Sequence, residues 1–190
     1  MRDLTEACLA SRMIHDEGFL RLRKDVVRLP DGSNATREVV EHPGAAAVVA
    51  LTDDYKVVLV RQFRYAVGRV FTEIPAGKLE AGESALACAQ RELQEETGWR
   101  ARDWAWLLRV HPAIGFSNEV IEVFLARGLT AGTARPDAEE FVEPELMGLE
   151  QLVDAIRRGE ISDPKTLAGA LTVERMVRGE WPWPDMAAPV

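Results

Sequence analysis

Apolar and polar residues alternate from 19 to 29 (Phe-Leu-Arg-Leu-Arg-Lys-Asp-Val-Val-Arg-Leu), which predicts a half-buried strand. Pro30-Asp31-Gly32-Ser33 is a turn signal, and residues 36–41 read as a second strand, so the chain opens with a hairpin or small antiparallel sheet. Two or three strands make a marginal unit, which needs a partner surface from the rest of the chain or from a second subunit. Residues 1–16 carry no such pattern. Residues 44–51 form an unbroken apolar run, the signature of a strand covered on both faces. The pattern resumes at 56–61 after a turn at Asp53-Asp54, and residues 62–65 mix aromatic and basic side chains at the strand's end. Strands are expected at 104–110 and 120–125, a loop at 128–136, an acidic stretch at 137–140 and a return to the sheet at 141–149. Helical spacing marks 149–158. Asp163 and Pro164 suit the cap and first position of a last helix running to about residue 178. The tail Trp181-Pro-Trp-Pro cannot continue it. Strands, helix, strands and helices in that order predict an α+β fold, a mixed sheet with helices on its faces. The expected division is 1–42 for the hairpin or small sheet, 43–180 for the main domain and 181–190 for a tail.

The most informative stretch is 77–99, Gly-Lys-Leu-Glu-Ala-Gly-Glu-Ser-Ala-Leu-Ala-Cys-Ala-Gln-Arg-Glu-Leu-Gln-Glu-Glu-Thr-Gly-Trp. Gly77 and Gly82 can take the positive φ angles of a turn. A helix is expected from Glu83 or Ser84, capped by a short polar side chain, with Gly98 as its left-handed end. Leu86, Ala89 and Leu93 share a face that reads as buried. Glu92, Glu95 and Glu96 crowd another. Like charges four apart cost roughly 0.2–0.5 kcal/mol in an isolated helix, so a purely structural helix would pair them with lysines. Three carboxylates beside a glycine-rich turn suit a hard divalent cation, which takes oxygen ligands.

Net charge is −8 over 190 residues, which disfavours attraction to nucleic acid or to an anionic membrane. An anionic substrate then needs local help from metals and arginines. Two cysteines, Cys8 and Cys88, define no disulfide framework, and Cys88 reads as a small buried residue. There is no secretory signal and no apolar run long enough to span a membrane, so the expected location is the cytoplasm.

With Gly77, Glu83, Arg91, Glu92, Leu93, Glu95, Glu96 and Gly98 at their fixed offsets, the stretch resembles the Nudix box, Gly-x5-Glu-x7-Arg-Glu-U-x-Glu-Glu-x-Gly-U, where U is bulky and apolar. Trp99 fills the last position in place of an aliphatic residue. Residues 37–45, 62–65, 73–80 and 115–119 look like the ADP-ribose pyrophosphatases of that superfamily. The resemblance implies an α/β/α sandwich with a mixed sheet, preceded by a small N-terminal antiparallel sheet. It further implies Mg²⁺-dependent hydrolysis of the pyrophosphate bond of ADP-ribose or a related nucleoside diphosphate sugar, with Mn²⁺ as a possible substitute, in a homodimer with shared active sites. By the same resemblance Glu92, Glu96, Glu95 and the Ala76 carbonyl would hold metal, and Glu95, Glu96, Glu139 or Glu140 would supply the catalytic base. Arg37, Glu38, Glu41, Arg64 and Glu119 would contact substrate. Gly77, Glu83, Arg91 and Gly98 would shape the box, with Arg91 orienting Glu83. Phe19 can stack on a base or belong to the core. The alternatives are another nucleotide sugar such as GDP-mannose, or a nucleotide-sugar-binding module without turnover. An intact acidic box favours turnover.

Overall fold

The structure is a computed structural model that describes residues 1–18, 20–135 and 141–187. The expected loop acids Glu139 and Glu140, and Phe19, lie outside the described residues. The chain forms two compact units, 1–43 with 111–120, and 44–110 with 121–190.

The first unit is a three-stranded antiparallel sheet in the order β1-β2-β3, with β1 at Ala7–Glu17, β2 at Leu20–Arg28 and β3 at Asn34–Glu41. The hydrophobic pattern leaves β1 invisible for a physical reason. Alternation marks a strand only when one face is buried, and every residue of β1 is exposed. The turn at 111–120 is stitched to β3: Val40 N–H donates to the Phe116 carbonyl (2.7 Å), Ser117 Oγ donates to the Val40 carbonyl (3.1 Å), and His42 N–H donates to Asn118 Oδ1 (2.8 Å).

The second unit is built around β4, Ala45–Leu51, every residue of which is buried. Ala45, Ala47, Val49 and Leu51 face a core shared with Leu149, Leu152 and Ala155 of α2 (Leu149–Arg157) and with Ala170 and Val173 of α3 (Pro164–Val177). Ala46, Val48 and Ala50 face Cys88, Ala89 and Leu93 of α1 (Ala85–Thr97). Both faces of the sheet are therefore covered, which is the α/β/α arrangement that the unbroken apolar run implies.

The seven-stranded sheet is mixed. β4 runs parallel to β9 (Ile121–Thr130), which pairs antiparallel with β8 (Arg100–Val110). The other edge of β4 is divided. Ala50 and Leu51 pair with β5 (Lys56–Arg64), whereas residues 45–47 pair with β7 (Ala76–Lys78). β6 (Arg69–Glu73) and β10 (Val142–Gly148) flank β5. Pro144 is tolerated because β10 is an edge strand. α3 is capped as its sequence predicts: Asp163 accepts from Thr166 N–H, Pro164 is first, and the helix closes at Arg178. The tail does more than end a helix. Ala187 exchanges two backbone hydrogen bonds with Trp104 (2.8 and 3.0 Å), adding a bridge to β8. Among the described residues no helix is long and apolar enough to cross a membrane.

Candidate active site

The site grows from the handover between β7 and α1. Ser84 Oγ accepts from Ala87 N–H to start the helix, and Gly98, at φ 77°, ends it by donating to the Gln94 carbonyl. Gly82 supplies the turn with φ 82°. Gly77 does not: it is a strand residue outside the positive-φ set. Its lack of a side chain serves a close approach instead, because a Cβ there would sit 1.7 Å from Glu92 Oε1 and 2.0 Å from its carboxyl carbon. The Glu92 carboxylate thus lies in the space that a side chain at residue 77 would fill.

Arg91 organises the acids. Its Nε and Nη2 donate to the two carboxylate oxygens of Glu83 (2.9 and 3.0 Å), and its Nη1 donates to Glu92 Oε1 (2.7 Å) and Glu95 Oε2 (3.0 Å). Such charge-assisted, bidentate bonds set geometry as well as energy. They hold the Glu83 carboxyl at about 2, with the Arg91 guanidinium the main cause. Glu96, 3% exposed, accepts from Ala76 N–H through Oε2 (3.1 Å). Glu92 is 8% exposed, and Glu95 is the outermost of the three. Cys88 is buried beside the Gly77 and Lys78 carbonyls, where burial pushes its thiol up to about 12. It is a packing residue, not a nucleophile.

Two further elements close on this frame. Arg135 N–H donates to the Glu95 carbonyl (2.8 Å), and the backbone of residues 132–134 comes within 2.6–2.8 Å of where a Cβ on Gly98 would stand. The chain is therefore fastened to the end of α1 just before the acidic stretch of Glu139 and Glu140. Arg64, at the end of β5, forks onto Glu73 (2.8 and 2.9 Å) and lies in the field of Glu96. The sequence reading passed over two participants in that contact, Glu73 and Lys165. Each carried a signal: an acid directly before the apolar Ile74-Pro75-Ala76, and a lysine in the first turn of a helix, where the dipole disfavours cations.

The expected substrate residues of the first unit are not presented together. Arg37 and Glu41 alternate with Glu38 along β3 and so lie on the opposite face. Arg37 pairs with Glu6 (2.5 Å), Glu38 with Lys24 (3.1 Å) and Glu41 with Arg23 (2.8 Å). Glu119 stands 3.9 Å from His42.

The donor set fits a hard divalent cation. It consists of carboxylate oxygens from Glu92, Glu95 and Glu96, the first and last on buried side chains, beside the half-buried peptide at Ala76–Gly77. Among the described residues no three acidic, imidazole or thiol groups close on a single point. Hard divalent cations such as Mg²⁺ take oxygen ligands of this kind, and substrate phosphates commonly complete their coordination.

Residues 41–169, more than half of the chain, match the family described as NUDIX domain. The chain belongs to the Nudix family. Residues 6–40 match the family described as nucleoside diphosphate sugar hydrolase N-terminal domain, which covers β1 to β3. The chain is similar to a methanol dehydrogenase activator of Bacillus methanolicus, at 38% identity over 85% of this chain and 89% of the relative. It is similar to an ADP-ribose pyrophosphatase of Mycobacterium tuberculosis (strain ATCC 25618 / H37Rv), at 41% identity over 90% of this chain and 84% of the relative. Its fold matches a crystal structure of an ADP compounds hydrolase with a TM-score of 0.81, at 18% identity over 95% of this chain and 98% of that one. Fold class and family thus agree with the sequence reading, and a family of divalent-cation-dependent hydrolases agrees with the acidic site.

Proposed function

We propose that this Nudix protein hydrolyses the pyrophosphate bond of ADP-ribose, or of a related nucleoside diphosphate sugar, with Mg²⁺, yielding AMP and ribose 5-phosphate. The observation that carries the reading is the pair of buried carboxylates, Glu92 and Glu96, locked against Gly77 and Ala76. Arg91 and the Ala76 N–H hold these two carboxylates in place beside the β7–α1 turn, where they offer the oxygen ligands that a hard divalent cation takes. The 41% identity to an ADP-ribose pyrophosphatase over most of both chains supports the substrate.

Glu92 and Glu96 would hold the cation, with Glu95 and the Ala76 carbonyl assisting. When bound, it would neutralise phosphate charge and acidify a water. Arg91 keeps Glu83, Glu92 and Glu95 in register. Arg64 offers a guanidinium to a phosphate, and Glu139 and Glu140 are the candidate bases in the following loop. The first unit, whose β1 carries exposed Leu9, Met13 and Ile14, would serve homodimerisation and offer Arg37 and Glu41 from one face of β3, or Glu38 from the other, to the partner subunit's substrate pocket, with Glu119 assisting. The functional division we assign is 1–42, 43–180 and 181–190, with the 111–120 turn joined to the first unit, and the working compartment is the cytoplasm.

The methanol dehydrogenase activator among the relatives favours a second reading, action on another protein. A screen of ADP-ribose, GDP-mannose, diadenosine polyphosphates and NADH with Mg²⁺, with products identified, tests both. Fastest turnover of ADP-ribose is expected. Absence of turnover on all four would reject the hydrolase reading and favour the second.

A further inference from the structure

Four charged side chains from three parts of the second unit meet at the start of α3. Glu73, the last residue of β6, is almost wholly buried and accepts from Arg64 Nε and Nη2. Its Oε2 also accepts from Lys165 Nζ at 2.5 Å. Lys165 is buried too, and it reaches Asp163 Oδ1 at 3.0 Å. A lysine in the first turn of a helix opposes the helix dipole, and burying its ammonium adds a desolvation cost. Among the described residues, the carboxylates of Glu73 and Asp163 meet both costs.

The next residue extends the grip. Thr166 Oγ1 accepts from Ile74 N–H (2.9 Å) and donates to Asp163 Oδ2 (2.5 Å). The first turn of α3 therefore holds the Glu73 side chain and the Ile74 backbone, two residues before Ala76, whose N–H binds Glu96.

Arg64 is the outward member of this group. It spends Nε and Nη2 on Glu73, while Nη1 has no hydrogen-bond partner among the described residues, and its side chain is 41% exposed. The quartet is neutral, with Arg64 and Lys165 balancing Glu73 and Asp163. Without Lys165 it would carry one net negative charge. Glu73 would then draw on Arg64 alone, leaving less of its pull for a phosphate.

We infer that Lys165 is a positioning residue that acts through Glu73 to keep the outer guanidinium edge of Arg64 available to the phosphates of a nucleoside diphosphate sugar. The inference rests on the hydrolase reading above and adds to it a residue with no place in the box.

The test compares Lys165→Met, Lys165→Arg, Glu73→Gln and the double variant Glu73→Gln/Lys165→Met, with ADP-ribose and Mg²⁺, after thermal melts to establish folding. Lys165→Met should raise KM about tenfold, as expected for one uncompensated charge near an anionic ligand, and leave kcat within about threefold. Lys165→Arg should restore KM. The double variant should also restore it, because the quartet is again neutral. A merely structural lysine predicts the reverse, with the double variant worse than the single. If Lys165→Met does not fold, the double variant decides by comparison with the wild type: an unchanged KM supports the inference and a tenfold rise overturns it. Calorimetric Kd values for ADP-ribose supply the same comparison if the chain binds without turnover. An unaltered KM and Kd in folded Lys165→Met would overturn the inference alone. A wild type that neither binds nor cleaves any nucleoside diphosphate sugar would overturn the substrate reading and this inference with it.

Discussion

Gly77→Ala separates the catalytic role of the box from its role in folding. The added Cβ would stand 1.7 Å from Glu92 Oε1 and 2.0 Å from the Glu92 carboxyl carbon. Ordinary contact between such atoms begins above about 3 Å, so something must move by roughly 1.5 Å. β7 is hydrogen-bonded to β4, with Gly77 opposite Ala46, whereas the obstructing group is the carboxylate end of a rotatable side chain held by Arg91. The carboxylate yields first and loses its 2.7 Å bond from Arg91. Losing a charged hydrogen bond costs about 1.5–3 kcal/mol, which the fold can absorb. Displacing a catalytic group by 1 Å can cost about a hundredfold in rate, or about 2.7 kcal/mol of barrier. The expected result is a folded Gly77→Ala protein whose kcat/KM for ADP-ribose falls at least about a hundredfold and whose Mn²⁺ affinity by calorimetry drops in parallel. A folded variant with kcat/KM within about threefold of wild type would show that Glu92 does not depend on the space at residue 77. A collapse of thermal stability would mean that the backbone, not Glu92, gives way.

Other substitutions and conditions probe the same frame. Glu96→Gln keeps an acceptor for the Ala76 N–H, so its melting temperature should stay near wild type while turnover falls about a hundredfold or more; near-normal turnover would remove Glu96 from the metal site. The Glu83 carboxyl is held at about 2 against an ordinary 4.5, a depressed value whose stabilisation is present above pH 4.5 and lost as pH falls toward 2. Without added metal, the stability advantage of wild type over Glu83→Gln should be at most about 3 kcal/mol at pH 7 and close across that window; a gap that does not change with pH would contradict the Arg91–Glu83 assignment. Light scattering should give twice the 21.1 kDa chain mass, and a fully active monomer would reject the homodimer.

Much of this was legible along the chain, and the exceptions have physical causes. β4 could be read because both its faces are buried, and α1 because Ser84 and Gly98 bracket it with cap chemistry. β1 could not, because a strand without a buried face leaves no alternation. The need for glycine at residue 77 was legible but its reason was not: a turn was expected, and the structure shows room for Glu92. β8 begins at Arg100 rather than at Trp104, since its first turn-side residues pair with β9 while staying mostly polar. The clasp of Glu73 and Lys165 joins residues 92 apart in sequence, a separation that no local pattern can report. The box acids themselves were plain from spacing, whereas their common anchor on Arg91, including its hold on Glu92 and Glu95, needed coordinates.

The proposed chemistry is cleavage of a pyrophosphate bond at a divalent-cation site on α1. Its most direct test is to incubate the purified protein with ADP-ribose, with Mg²⁺ and with excess chelator, and to resolve the products by chromatography. AMP and ribose 5-phosphate should form in equal amounts with Mg²⁺, and neither should form with chelator. Intact ADP-ribose in the presence of Mg²⁺, or cleavage to ADP and ribose, would contradict it.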